Sequence, residues 1–244
     1  MMIKINPIRW SWLLRLLVAL VFLYPFLFAV LNNRMDRMGL GPTSPAETSD
    51  LHSIHFVDLS GCANSDYHHN PFIPDPSKGS DHFPELKSGV HRFGRIAFRI
   101  SAPHAATRKP TVITTGEDPS FSCSVPLMEK SSRSVHLAMD GAWLKDQSAQ
   151  IARISITDEE GNRTEKLIVG NQDVWSYKAD RLKVSIPERA ILWQNAEGRK
   201  IVVVSIKLAG RKKPKALEIQ ALPADGIQHK QPAIAVFAVT QELA

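Results

Sequence analysis

At 244 residues the chain is long enough for a membrane anchor plus one domain with its own core, and a charged fraction of 22% beside an apolar fraction of 43% excludes wholesale disorder. The formal charge is +6, from 30 basic and 24 acidic residues. It is spread along the chain and does not make the electrostatic footprint of a nucleic-acid binder.

Residues 1–9 read as a short tail. Residues 10–31 are almost wholly apolar, interrupted only by Ser11 and Arg15. At 1.5 Å rise per residue such a helix spans about 33 Å, enough to cross a hydrocarbon core of about 30 Å. Arg15 lies near the start, where its head can reach the headgroups, and Trp10 and Trp12 stand at the same edge. The rival is a cleaved signal peptide, which needs small residues before the cut; around Ala29 the −3 position is Leu27. An uncleaved signal-anchor is the favoured reading, with membrane lipid as its partner. Lys4, Arg9 and Arg15 on one side against Arg34 and Arg37 on the other put the N-terminus in the cytoplasm and the remainder in the periplasm or outside the cell.

Residues 32–53, with Asn, Gly, Pro, Ser and Thr and little apolar periodicity, read as a linker. From residue 54 to 244 strand-like runs recur between turn signals. Residues 54–59 are short and apolar. A long irregular excursion follows over 62–92. Ile96, Phe98 and Ile100 alternate, as do Val135, Leu137 and Met139. Two short runs, 111–115 and 121–125, lie between them. The clearest hairpin has Ala152, Ile154 and Ile156 on one face, then Asp158, Glu159, Glu160, Gly161 and Asn162 turning the chain into a partner strand. Val202, Val204, Ile206 and Leu208 line another strand, Leu217, Ile219 and Ala221 the next, and 233–239 is apolar on both faces. Ten or so strands without an intervening amphipathic helix predict an all-β sandwich or jelly roll.

In order along the chain stand Val57, Asp58, Leu59 and Ser60; the run 86–100 with Gly89, His91, Gly94 and Phe98; the hairpin through Gly161; Gly170, Asn171, Gln172, Asp173, Val174 and Trp175; Trp193; and a closing run 235–240. Together they resemble a bacterial family of galactose-binding-like β-sandwiches, related in look to the NPCBM carbohydrate-binding modules. The resemblance implies a β-sandwich appended to an envelope protein and a glycan as ligand. Relatives tend to a doubled tryptophan where this chain reads Trp175, Ser176, Tyr177.

No nucleophile elbow, zinc-protease helix, P-loop or dinucleotide fingerprint is present, so neither a catalytic residue nor a cofactor is expected. Asp158, Glu159 and Glu160 share one turn, whereas paired glycosidase acids flank a sugar from separate elements. Asp66, His68 and His69 carry metal-ligating groups, but neighbours on a loop diverge and no metal is expected. Arg211, Lys212, Lys213 and Lys215 form a basic run that reads as a solvated β-turn or as a phosphate or anionic-lipid contact. Cys62 and Cys123 either pair in an oxidising compartment or sit as separate buried thiols. Trp143, Trp175, Tyr177 and Trp193, with Asn171 at the turn beside Trp175, are the side chains that could form a sugar-stacking site, against a packing role common to tryptophans. The expected function is a non-catalytic, membrane-anchored sandwich binding glycan or another envelope component. The alternative is an accessory subunit of a membrane complex, with membrane-protein partners.

Overall fold

The computed structural model describes residues 53–67, 70–72, 83, 85–102, 110–145, 149–175, 190–196, 198–226 and 229–244. The tail, the apolar segment 10–31, nearly all of the linker, His52, His68, His69, His82 and Tyr177 lie outside them. The described residues hold twelve strands and no helix long and apolar enough to cross a membrane.

Two antiparallel sheets carry the domain. In the larger, β1 (Ile54–Phe56), β12 (Ala233–Leu243), β6 (Ser132–Ala142), β10 (Lys200–Lys212) and β9 (Ile191–Gln194) lie side by side, and β4 (Ile113–Thr114) also pairs with β12. The smaller runs β5 (Ser122–Pro126), β11 (Pro214–Ala221), β7 (Gln150–Asp158) and β8 (Arg163–Val169). The period-2 pattern explains how they meet. Val135, Leu137 and Met139 of β6, Val202, Val204 and Ile206 of β10, Ile154 and Ile156 of β7, and Leu217 and Ile219 of β11 all enter one core between the sheets. Each fully buried aliphatic side chain there contributes roughly 1.5–3 kcal/mol of transfer free energy.

The predicted hairpin is β7 and β8. Asp158 accepts hydrogen bonds from the backbone nitrogens of Glu160 (3.0 Å) and Asn162 (2.9 Å), and Gly161 takes the left-handed conformation (φ 84°) that finishes the turn. Residues 212–215 differ from a free turn. Lys212 ends β10 and Pro214 begins β11, so the run links one sheet to the other.

The described residues of the excursion after Cys62 pack as a third layer on the back of the larger sheet. That back is paved with Ala138, Ala142, Ala233, Ala235 and Ala238, and onto it fit Tyr67, Phe72, Phe83, Phe98 and Ile100. Small residues below and large rings above fill the space that two leucine faces would overfill. Phe98 and Ile100 come from β3 (Ile96–Ile100), which pairs with β2 (Gly89–Phe93) as a separate hairpin. A bulge in β12 completes the fit. Register shifts between Val236 and Ala238, so Phe237 and Ala238 both face the third layer, and the Phe237 ring meets Phe83 at 5.1 Å.

Candidate functional site

The described residues of three connections, β4 to β5, β6 to β7 and β11 to β12, meet at one end of the sandwich. Trp143, the first residue after β6, is half-buried and has φ 56°, a conformation that non-glycine residues rarely hold. Its ring packs edge-on against Phe72, with centroids 6.3 Å apart. The Lys230 ammonium lies 4.7 Å from the ring centroid and donates to Glu117 at 2.8 Å. A second pair rims the same end: Lys145 Nζ donates to Asp225 Oδ2 at 2.8 Å, and that bond holds the Asp225 carboxyl below the usual carboxylate range. The backbone is over-determined here. A Cβ on Gly226 would overlap the carbonyl oxygens of Lys230 and Trp143, so only glycine fits. Gln231 closes the loop by donating to Leu222 O at 2.7 Å and accepting from Ala224 N at 3.3 Å. The result is a fixed, part-exposed indole among donors and acceptors.

Trp175 and Asn171, two of the other expected binding residues, are turned inward. Trp175 is 5% exposed, packs in the core between the sheets, and has the Lys200 ammonium 4.6 Å from its ring centroid. Its carbonyl accepts from Gly141 N at 3.0 Å. Asn171 takes φ 58° as the Gly170-Asn171 turn predicts, but it is 1% exposed. Asn171 and Trp175 thus belong to a buried turn whose 171–175 segment packs against Gly141. Tyr177 lies outside the described residues. Trp193 sits half-buried on β9, its ring centroid 5.5 Å from that of Phe83.

The acidic turn and the basic run neutralise each other. Lys212 lies 3.0 Å from Glu160 and 3.3 Å from Asp158, and Lys213 lies 3.2 Å from Glu159. Cys62 and Cys123 are joined, with Cα atoms 6.1 Å apart. Among the described residues no group of His, Cys, Asp and Glu could hold a metal ion.

One polar set was hidden in the strand alternation. His136 on β6 contacts Ser134 Oγ at 2.9 Å and Glu242 Oε2 at 3.3 Å through Nε2, and Ser205 Oγ at 2.8 Å through Nδ1. Ser134 also donates to Glu242. Serine, histidine and glutamate are together: Ser205 on Nδ1 and Glu242 on Nε2 occupy opposite ring nitrogens, and Ser134 shares Nε2 with Glu242. Burial holds the His136 imidazole below its ordinary pKa, against the pull of Glu242.

No protein-family model matches the chain, and no curated protein sequence matches it. Among solved structures, it is similar to AlgX of Pseudomonas aeruginosa at 12% identity and a TM-score of 0.27, over 54% of this chain and 26% of that one. A family two carbohydrate esterase from Cellvibrio japonicus gives 11% identity and a TM-score of 0.31, over 79% of this chain and 34% of that one. The K3 adhesin domain of Lys-gingipain from Porphyromonas gingivalis gives 10% and 0.28, over 78% and 91%. The chain thus spans about a quarter and a third of the first two. Superpositions at this level carry no activity across to it.

Proposed function

We propose that the chain is a non-catalytic, membrane-tethered module whose β-sandwich stands outside the cytoplasm and offers its Trp143 end to a glycan or another envelope component. The observation that carries this reading is the half-exposed indole on a left-handed backbone, rimmed by Glu117, Lys230, Lys145 and Asp225. An indole matches the apolar face of a sugar ring, and ionised groups beside it exchange hydrogen bonds with hydroxyls. The joined cysteines support an oxidising compartment, and the apolar run 10–31 supports the tether.

The test is a glycan array probed with the full chain in detergent, beside Trp143→Ala. Saturable binding to a defined glycan that weakens at least tenfold in the variant, with unchanged melting, is the expected result. An array without signal, or a variant that binds like the parent, removes the reading. Recovery of a stoichiometric membrane protein from solubilised membranes, indifferent to Trp143→Ala, puts the accessory-subunit role in its place.

A further inference from the structure

At the opposite end of β6 from Trp143, a pocket of about 170 Å³ is lined by Ser53, Ile54, Arg95, Ile96, Arg133 and Glu242. We propose that this pocket binds a phosphate-type oxyanion between the guanidinium groups of Arg95 and Arg133. Arg95 follows Gly94 (φ 57°) in the tight β2–β3 turn, which fixes where its side chain leaves the backbone. One of its nitrogens lies 3.2 Å from Glu242 Oε1, and a guanidinium has five donors to share. Arg133, the second residue of β6, is exposed and holds no ion pair among the described residues.

The lone carboxylate in the lining is already engaged. Glu242 receives Arg95, Ser134 and His136, so its charge is spent inward on the sheet. The pocket is left with a positive balance. Paired planar guanidiniums recognise tetrahedral oxyanions through parallel N–H bonds, and Ile54 and Ile96 close one side with apolar surface. A cavity needs roughly 10–15 Å³ of such space to hold one water, so the pocket has room for a phosphate group and several waters. Lys212 and Lys213 are poor rivals for the same anion because hairpin acids already neutralise them.

A free phosphate and the headgroup of an anionic phospholipid share this chemistry. Calorimetric titration of the full chain in non-ionic detergent separates them, using inorganic phosphate in one arm and monomeric short-chain phosphatidic acid in the other, at constant ionic strength. Saturable binding in either arm is expected, weakened at least tenfold by Arg133→Gln and by Arg95→Gln. Glu242→Gln should tighten it, an opposite sign that simple loss of folding cannot produce. Binding of phosphate assigns a free anion, and binding of the lipid alone assigns a headgroup. No saturation in either arm, or Arg133→Gln binding like the parent, overturns the proposal. The Trp143 site, about 33 Å away along β6 at ~3.3 Å per residue, is untouched by that outcome.

Discussion

Near the C-terminal end of β6, Asp140 places an ionisable carboxyl on a strand face it shares with Ala138 and Ala142, and it is fully buried. Its Oδ1 accepts from Gly141 N at 2.8 Å, while Oδ2 has no partner among the described residues. Burial pushes its pKa well above the ordinary carboxylate value, against the Gly141 bond and the charge of Arg199. The folded pKa is raised, so the contribution to stability is complete below about 3.8 and is lost as pH climbs toward the folded value. Asp140→Asn keeps an Oδ1 acceptor and removes the ionisation. Its melting temperature should match the parent near pH 4 and pull ahead as pH rises to 8. Parallel melting curves across that range would sink the assignment. Residue identity alone carries little warning of this. A charged residue in an apolar alternation marks a buried position only once the strand is known to be covered on both faces. The tryptophans taught the same lesson, since Trp143 and Trp175 differ in exposure because of a turn conformation and a packing contact, neither of which composition encodes.

Among the elements, the join between Cys62 and Cys123 connects the start of the third layer to β5, an edge strand of the smaller sheet. With a sequence separation of 61, closing that loop restricts the unfolded chain by an amount worth ~2–4 kcal/mol. Native chain purified without reductant should therefore carry no maleimide-reactive thiol, and a reductant should lower its denaturation midpoint without changing the strand signature in circular dichroism. Two reactive thiols in the native chain would refute the pairing. The strands that were plain in the sequence are those whose outer face is polar, such as β7 and β8, where alternation and the Asp158 to Asn162 turn agree. The strand β2 was missed because its five residues sit in a two-stranded hairpin with little apolar pattern, GVHRF. The excursion looked like loop because its hydrophobic residues, Tyr67, Phe72 and Phe83, are spaced without period; they are ordered by the alanine-paved sheet beneath them and by isolated backbone bonds such as Phe83 N to Tyr67 O at 3.2 Å, without a strand ladder. Regular patterns announce regular pairing, and a layer built on rings and alanines leaves none.

For the whole domain, proton linkage acts in opposing directions at its two polar interiors. The His136 set ties β6, β10 and β12 together, and through Arg95 it reaches the β2–β3 hairpin as well. Because burial lowers the His136 pKa, the unfolded chain binds more protons than the folded one below pH 6.5, and stability falls as the solution is acidified from there. Glu242 adds to that fall. Burial alone would raise its pKa, but hydrogen bonds from Ser134 and His136 and the charge of Arg95 hold it below 4.5, so its contribution is present above that value and lost as pH drops through the folded one. Asp140 works against both, since its neutral form is the one the interior accepts. Removing it should expose the other two. Asp140→Asn should lose stability on acidification more steeply than the parent, and His136→Gln should flatten the part of the loss between pH 7 and 5 while leaving the part near pH 4. Denaturant midpoints measured at half-unit steps from pH 4 to 8 test the pair together. If His136→Gln keeps the parent's full slope between pH 7 and 5, the imidazole is not the group that couples the larger sheet to its hairpin.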